Sequence, residues 1–147
     1  METKDDRPPD RRQLDDILDA LLPFAHQLLE KHGEFFPFGA AMGHDGKVSM
    51  LAGDTGTEHP PSDEVMALIR EAMRRDRDKY VAVGLCYDVR VRTSADAPPT
   101  DAICVSLEHE GGMAVDVVEP YAKRANKVEY GPLAAQQGRR VVFNSSP

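Results

Sequence analysis

The side chains that could do chemistry in this chain are scattered. Five histidines, His26, His32, His44, His59 and His109, fall in a helix, a helix end, a turn, a loop and a strand, and none stand at a metal-binding spacing. Cys86 and Cys104 lie far apart in different strands, so there is no Cys-x-x-Cys pair. Glu108, His109 and Glu110 put an imidazole between two carboxylates, yet neighbours on a strand point to opposite faces. His109, in phase with Leu107, therefore reads as a partly buried, satisfied histidine, with Glu108 and Glu110 outward. No glycine-rich phosphate loop and no Gly-x-Ser-x-Gly elbow occurs. We accordingly assign no catalytic residue, no metal ligand and no cofactor-binding residue, and expect no cofactor. If a pocket exists, it is expected between the helices and the first hairpin, where His44, Asp54, Glu58 and His59 could meet.

That hairpin is "FFPFGAAMGHDGKVSML", residues 35–51. Its Pro-Phe-Gly-Ala and Asp-Gly core resembles the opening hairpin of zinc-dependent nucleoside deaminases. The resemblance implies a following His-x-Glu helix start and a later Pro-Cys-x-x-Cys turn, which together hold a zinc ion and shuttle protons. Here His59 precedes the second helix, but Pro61 stands where the glutamate belongs and the cysteine pair is missing. A zinc deaminase is excluded.

The hairpin's register follows from side-chain parity. Opposed residues on an antiparallel pair share a face. A three-residue loop, His44-Asp45-Gly46, opposes Met42 with Val48 and Ala40 with Met50, keeping the apolar sets together. This predicts a type I turn with Gly46 in the left-handed conformation.

Before it, Leu14, Ile17, Leu18, Leu21, Leu22, Ala25, Leu28 and Leu29 recur at helical spacing, interrupted at Pro23, where a kink or restart is expected. Lys31, His32 and Gly33 have the chemistry of a helix end. A second helix opens with Ser62 as the expected N-cap and buries Val65, Leu68, Ile69, Ala72 and Met73. Arg74, Arg75 and Arg77 at its far end read as compensation of the helix dipole. "YVAVGLCYDVRVR" then alternates as a half-buried strand with its odd-numbered residues inward, followed by strands carrying Ile103, Val105 and Leu107, and Met113, Val115 and Val117. Residues 127–130 and 140–143 could add short edge strands.

The order predicts an α+β domain over residues 13–144, after a flexible tail at 1–12. A roughly five-stranded antiparallel sheet, in the order α-β-β-α-β-β-β, would carry both helices on one face. The other face would be ionic, with Asp88, Arg90, Arg92, Glu108, Glu110 and Asp116 outward, and forms a possible interaction surface. Cys86 and Cys104 would share that face as free thiols.

Composition narrows the function classes. The 147 residues are 41% hydrophobic and 29% charged, as in ordinary globular domains. The net charge of −7, with no stripe of lysine and arginine, disfavours nucleic acid. No apolar run approaches a membrane span or signal peptide. A cytoplasmic protein that works through a protein partner or as a homodimer is expected. Taken together, "PFGA", "DGKV", "YDVRV", "TDAICVSLEH" and "VEPY" resemble a group of small bacterial proteins of unknown function. The helix-hairpin-helix-meander order is also similar to roadblock and profilin-like domains, which implies a dimerising scaffold or sensor. The first functional expectation is a non-enzymatic interaction or regulatory module; the second is a small-ligand binder or enzyme with its pocket at the hairpin.

Overall fold

The computed structural model describes residues 6–53, 56, 58 and 60–143. Helix α1 (Pro9–His32) is followed by strands β1 (Phe38–Gly43) and β2 (Val48–Ala52), helix α2 (Ser62–Arg75) and a single 3-10 turn (Arg77–Lys79). Strands β3 (Tyr80–Val91), β4 (Thr100–His109), β5 (Ala114–Arg124), β6 (Lys127–Tyr130) and β7 (Ala134–Gln137) complete the chain. The strands form one seven-stranded antiparallel sheet in the order β2-β1-β3-β4-β5-β6. Strand β7 pairs with the first half of β5 and β6 with its second half. The α+β class and the element order are as expected, with two strands more.

Local chemistry explains the elements. Proline at the first turn of α1 loses no hydrogen bond, so the helix begins at Pro9 and takes in residues 9–12, expected in the tail. It runs unbroken through Pro23, because Leu14, Ile17, Leu21, Ala25 and Leu29 bury one continuous stripe on both sides of it. Gly33 closes it in the left-handed conformation, its N–H donating to the Leu29 carbonyl at 2.8 Å. In α2, Pro61 holds the N-cap position and Ser62 is the first helical residue. The hairpin has the expected register, Met42 opposite Val48 and Ala40 opposite Met50, with Gly46 at φ 84°. The Asp45 carboxylate braces the turn by accepting from Lys47 N at 3.0 Å.

The two helices lie on opposite faces of the sheet, which corrects the expectation that both cover one. Helix α1 packs on Phe38, Ala40 and Met42 of β1, Ala82 and Cys86 of β3, and Ile103, Val105 and Leu107 of β4. Helix α2 packs on the alternate residues, Ala41, Val83 and Leu85. Ala82, Gly84 and Cys86 are small because α1 lies directly upon them. A Cβ at Gly84 would stand 2.6 Å from Ile17 Cγ2 and 2.8 Å from Leu21 Cδ1.

Register is the second reason. Val91 pairs with Thr100 and Cys86 with Val105, so the odd residues of β3 share a face with the even residues of β4. Cys86 therefore lies under α1 and Cys104 beside Tyr87 on the α2 face, not together as expected. Both are free and buried. Residues 140–143 form no strand; the last strand comes earlier, at β7, and Val142 and Phe143 instead enter the α2-side core.

Candidate functional site

Helix α2 is short and covers β2, β1 and β3. Over β4 and β5 the same face is roofed by the C-terminal segment that follows β7. Between roof and sheet lies a cavity of about 380 Å³, with Tyr87, Ser106, Glu108 and Asp116 in its floor, Arg70 on the α2 side and Arg139 on the roof. Each floor residue arrives by strand parity: Tyr87 opposes Cys104, Leu85 opposes Ser106, and Ser106 opposes Asp116.

The floor is hydrogen-bonded. Cys104 Sγ donates to the Tyr87 hydroxyl at 3.3 Å, and that hydroxyl lies 3.0 Å from Ser106 Oγ. Burial pushes the Tyr87 hydroxyl up to about 12 and raises the Cys104 thiol, so neither is ionised at neutral pH. Burial drives the Cys86 thiol higher still. A thiol is nucleophilic only as thiolate. Iodoacetamide at pH 8 is therefore expected to label both cysteines more than tenfold more slowly in the native protein than in urea, read by mass spectrometry.

Glu108 holds the roof. It is 5% exposed. Its carboxylate accepts from Val142 N at 3.0 and 3.1 Å and from Phe143 N at 3.3 Å. The segment's carbonyls are bound in turn: Arg74 Nε donates to Val141 O at 2.6 Å and Arg140 to Phe143 O at 2.8 Å. Arg77 also reaches Val142 O, at 3.5 Å. The arginines at the end of α2 thus hold the C-terminal segment, a role their position on a helix end did not reveal.

The expected interaction face does not form as one surface. Asp88 and Arg90 lie on the α1 side, where Tyr121 donates its hydroxyl to Asp88 Oδ1 at 2.8 Å and Arg90 opposes Asp101. Arg92 donates to the Ala97 carbonyl within the β3–β4 connection. Glu110 is exposed past the end of β4. Glu108 faces the other way and is buried, because the β3–β4 register reverses the expected parity.

The pocket candidates are also separated. His44 sits at the turn end of the hairpin, its Nε2 3.0 Å from the Asp78 carbonyl. Glu58 lines an open groove of about 540 Å³ at the opposite end, with Phe24, Phe36 and Phe38. Asp54 and His59 lie outside the described residues. His109 is satisfied: Nε2 donates to Gln13 Oε1 at 2.6 Å and Nδ1 accepts from Gly111 N at 2.9 Å. His26 pairs with the buried Glu119 and stacks on Tyr130 at 3.9 Å, tying α1 to β5 and β6. Among the described residues no three histidine, cysteine or acidic side chains gather to hold a metal, and no helix is long and apolar enough to cross a membrane.

Sequence reasoning missed Arg70, Tyr87, Ser106 and Arg139 as cavity residues. Ser106 was the available signal, a lone hydroxyl between Val105 and Leu107 in an apolar run. Comparison with protein-family models, curated proteins and solved structures found no match to this chain.

Proposed function

We propose that the protein is a non-enzymatic interaction module that works as a homodimer, joined through the edge of β2. The observation that carries this reading is the chemistry of that edge. Strand β2 ends the sheet and, among the described residues, pairs only with β1. Its residues, Val48, Ser49, Met50, Leu51 and Ala52, include no charge and no proline, the usual protections of an exposed edge. Strand β6 at the opposite rim carries Lys127 and Glu129, and β7 only alanine and glutamine.

An apolar strip continues from the edge. Met50 is 48% exposed, and the register places it beside Ala40 and places Ala52 beside Phe38. Phe24 of α1 packs edge-on against Phe38 at 5.1 Å and is itself 42% exposed. A second copy fits this surface because antiparallel self-pairing about Met50 sets neutral residues opposite neutral residues. The net charge of −7 disfavours self-association everywhere else.

Met50→Lys places two like charges across the two-fold axis. The native chain is expected to run as a dimer in multi-angle light scattering, and the variant as a folded monomer. A monomeric native protein, or a dimer that the Met50→Lys substitution leaves intact, overturns the reading.

A further inference from the structure

We propose that the cavity under the C-terminal segment binds a small carboxylate-bearing molecule that also presents a hydroxyl or ammonium donor. The argument is a charge inventory of its lining. The oxygens of Glu108 are occupied by the backbone N–H groups of Val142 and Phe143. The side chains of Arg70, Arg139 and Asp116 make no hydrogen bond or ion pair with any described residue, although the charges of Arg70 and Asp116 are both felt at the Cys104 thiol. With Glu108 counted, the two guanidinium groups and two carboxylates of the lining sum to zero formal charge, and the side chains of Arg70, Arg139 and Asp116 keep their hydrogen-bonding capacity for a ligand that carries both an anionic group and a donor.

Arginine binds carboxylates through paired N–H donors, and such bonds strengthen where water is partly excluded. Asp116 calls for a donor on the same ligand. Directly opposite it on β4 is Ser106, whose hydroxyl and that of Tyr87 can each donate or accept. A volume of about 380 Å³ suits a small metabolite and lies toward the low end of ligand sites, roughly 300–1,000 Å³. The three other hollows differ in kind: that of about 500 Å³ beside β5, β6 and the β3–β4 connection holds Glu129 as its one charged group, which Arg124 pairs, and the remaining two are mainly apolar. One of about 550 Å³ between α1 and β5 is lined by Leu14, Leu18, Val115 and Leu133, and the phenylalanine groove beside the hairpin is likewise apolar. None of the three brings unpartnered opposite charges together around polar floor groups.

The site is independent of the β2 edge, since it lies over β3, β4 and β5 on the α2 face. Its test is calorimetric titration of the full chain with glutamate, gluconate and inorganic phosphate as probes. Saturable one-to-one binding of glutamate or gluconate, at least tenfold tighter than phosphate, is expected. Arg70→Met and Asp116→Asn should each weaken it about tenfold, the loss of one charge-assisted contact. Arg139→Gln, on an exposed position of the segment, should do the same without disturbing the fold, checked by an unchanged melting temperature. The proposal is overturned if neither organic acid binds, if phosphate binds equally well, or if the folded variants keep the native affinity.

Discussion

Glu108→Ala is expected to lower the unfolding free energy by about 3 kcal/mol and to release the C-terminal segment. The carboxylate accepts from two backbone N–H groups in a buried site, and hydrogen bonds to a charged group contribute about 1.5–3 kcal/mol each. Removing the acceptor also leaves the Val142 and Phe143 amides without a partner near an apolar core, where desolvation is uncompensated. Glu108→Gln keeps one acceptor oxygen and should cost roughly 1 kcal/mol. Urea unfolding measures the free energies. Hydrogen exchange separates this loss from a general one, because the amides of residues 142 and 143 should lose protection while those of β3 and β4 keep it. An alanine variant within about 0.5 kcal/mol of the native protein, the range of an ordinary surface substitution, would contradict the role of Glu108 as the holder of the roof.

Gly84→Val is expected to destabilise by about 3 kcal/mol, and Ile17→Ala by a similar amount, but the double variant by clearly less than the sum. The first forces a side chain into a place where a Cβ already meets Ile17 Cγ2, Leu21 Cδ1 and Leu107 Cδ2 at 2.6–3.0 Å. The second opens a hole in the fully buried seam between α1 and the sheet. In the double variant the valine occupies the space the isoleucine vacates, so the two changes couple by about 1 kcal/mol or more. The result reports directly on the two-sided sheet. If α1 did not lie on Gly84, its replacement by a strand-forming residue would cost nothing and the two effects would add. Thermal unfolding of the four proteins of the cycle decides it.

Both predictions rest on features that the one-dimensional pattern misreads, and the misreadings share a cause. Alternation along β3 correctly identifies the strand, and a wet face is inferred from the absence of large apolar residues at Ala82, Gly84 and Cys86. Small residues and polar residues look alike in such a pattern, although one admits a helix and the other admits water. Glu108 is expected outward for a related reason: its face depends on how β4 is registered against β3. The eight residues between Val91 and Thr100 set that register, and nothing in their composition reveals whether the connection preserves parity or reverses it. Arg74 and Arg77 bind a segment more than sixty positions away, a contact no local rule contains.

The hairpin was legible because its constraints are local. Parity on two adjacent strands and one glycine in a three-residue loop leave a single register, and the backbone adopts it. The α+β class, the two helices, the succession of strands as far as β6 and the satisfied His109 likewise follow from short-range periodicity. The placement of the helices on opposite faces, the burial of Glu108 and the gathering of Arg70, Tyr87, Ser106 and Asp116 into one cavity were decided only by tertiary structure. Short-range pattern states what each segment buries; which distant segment supplies the cover is an energy shared between residues far apart in the chain, and only the packed molecule settles it.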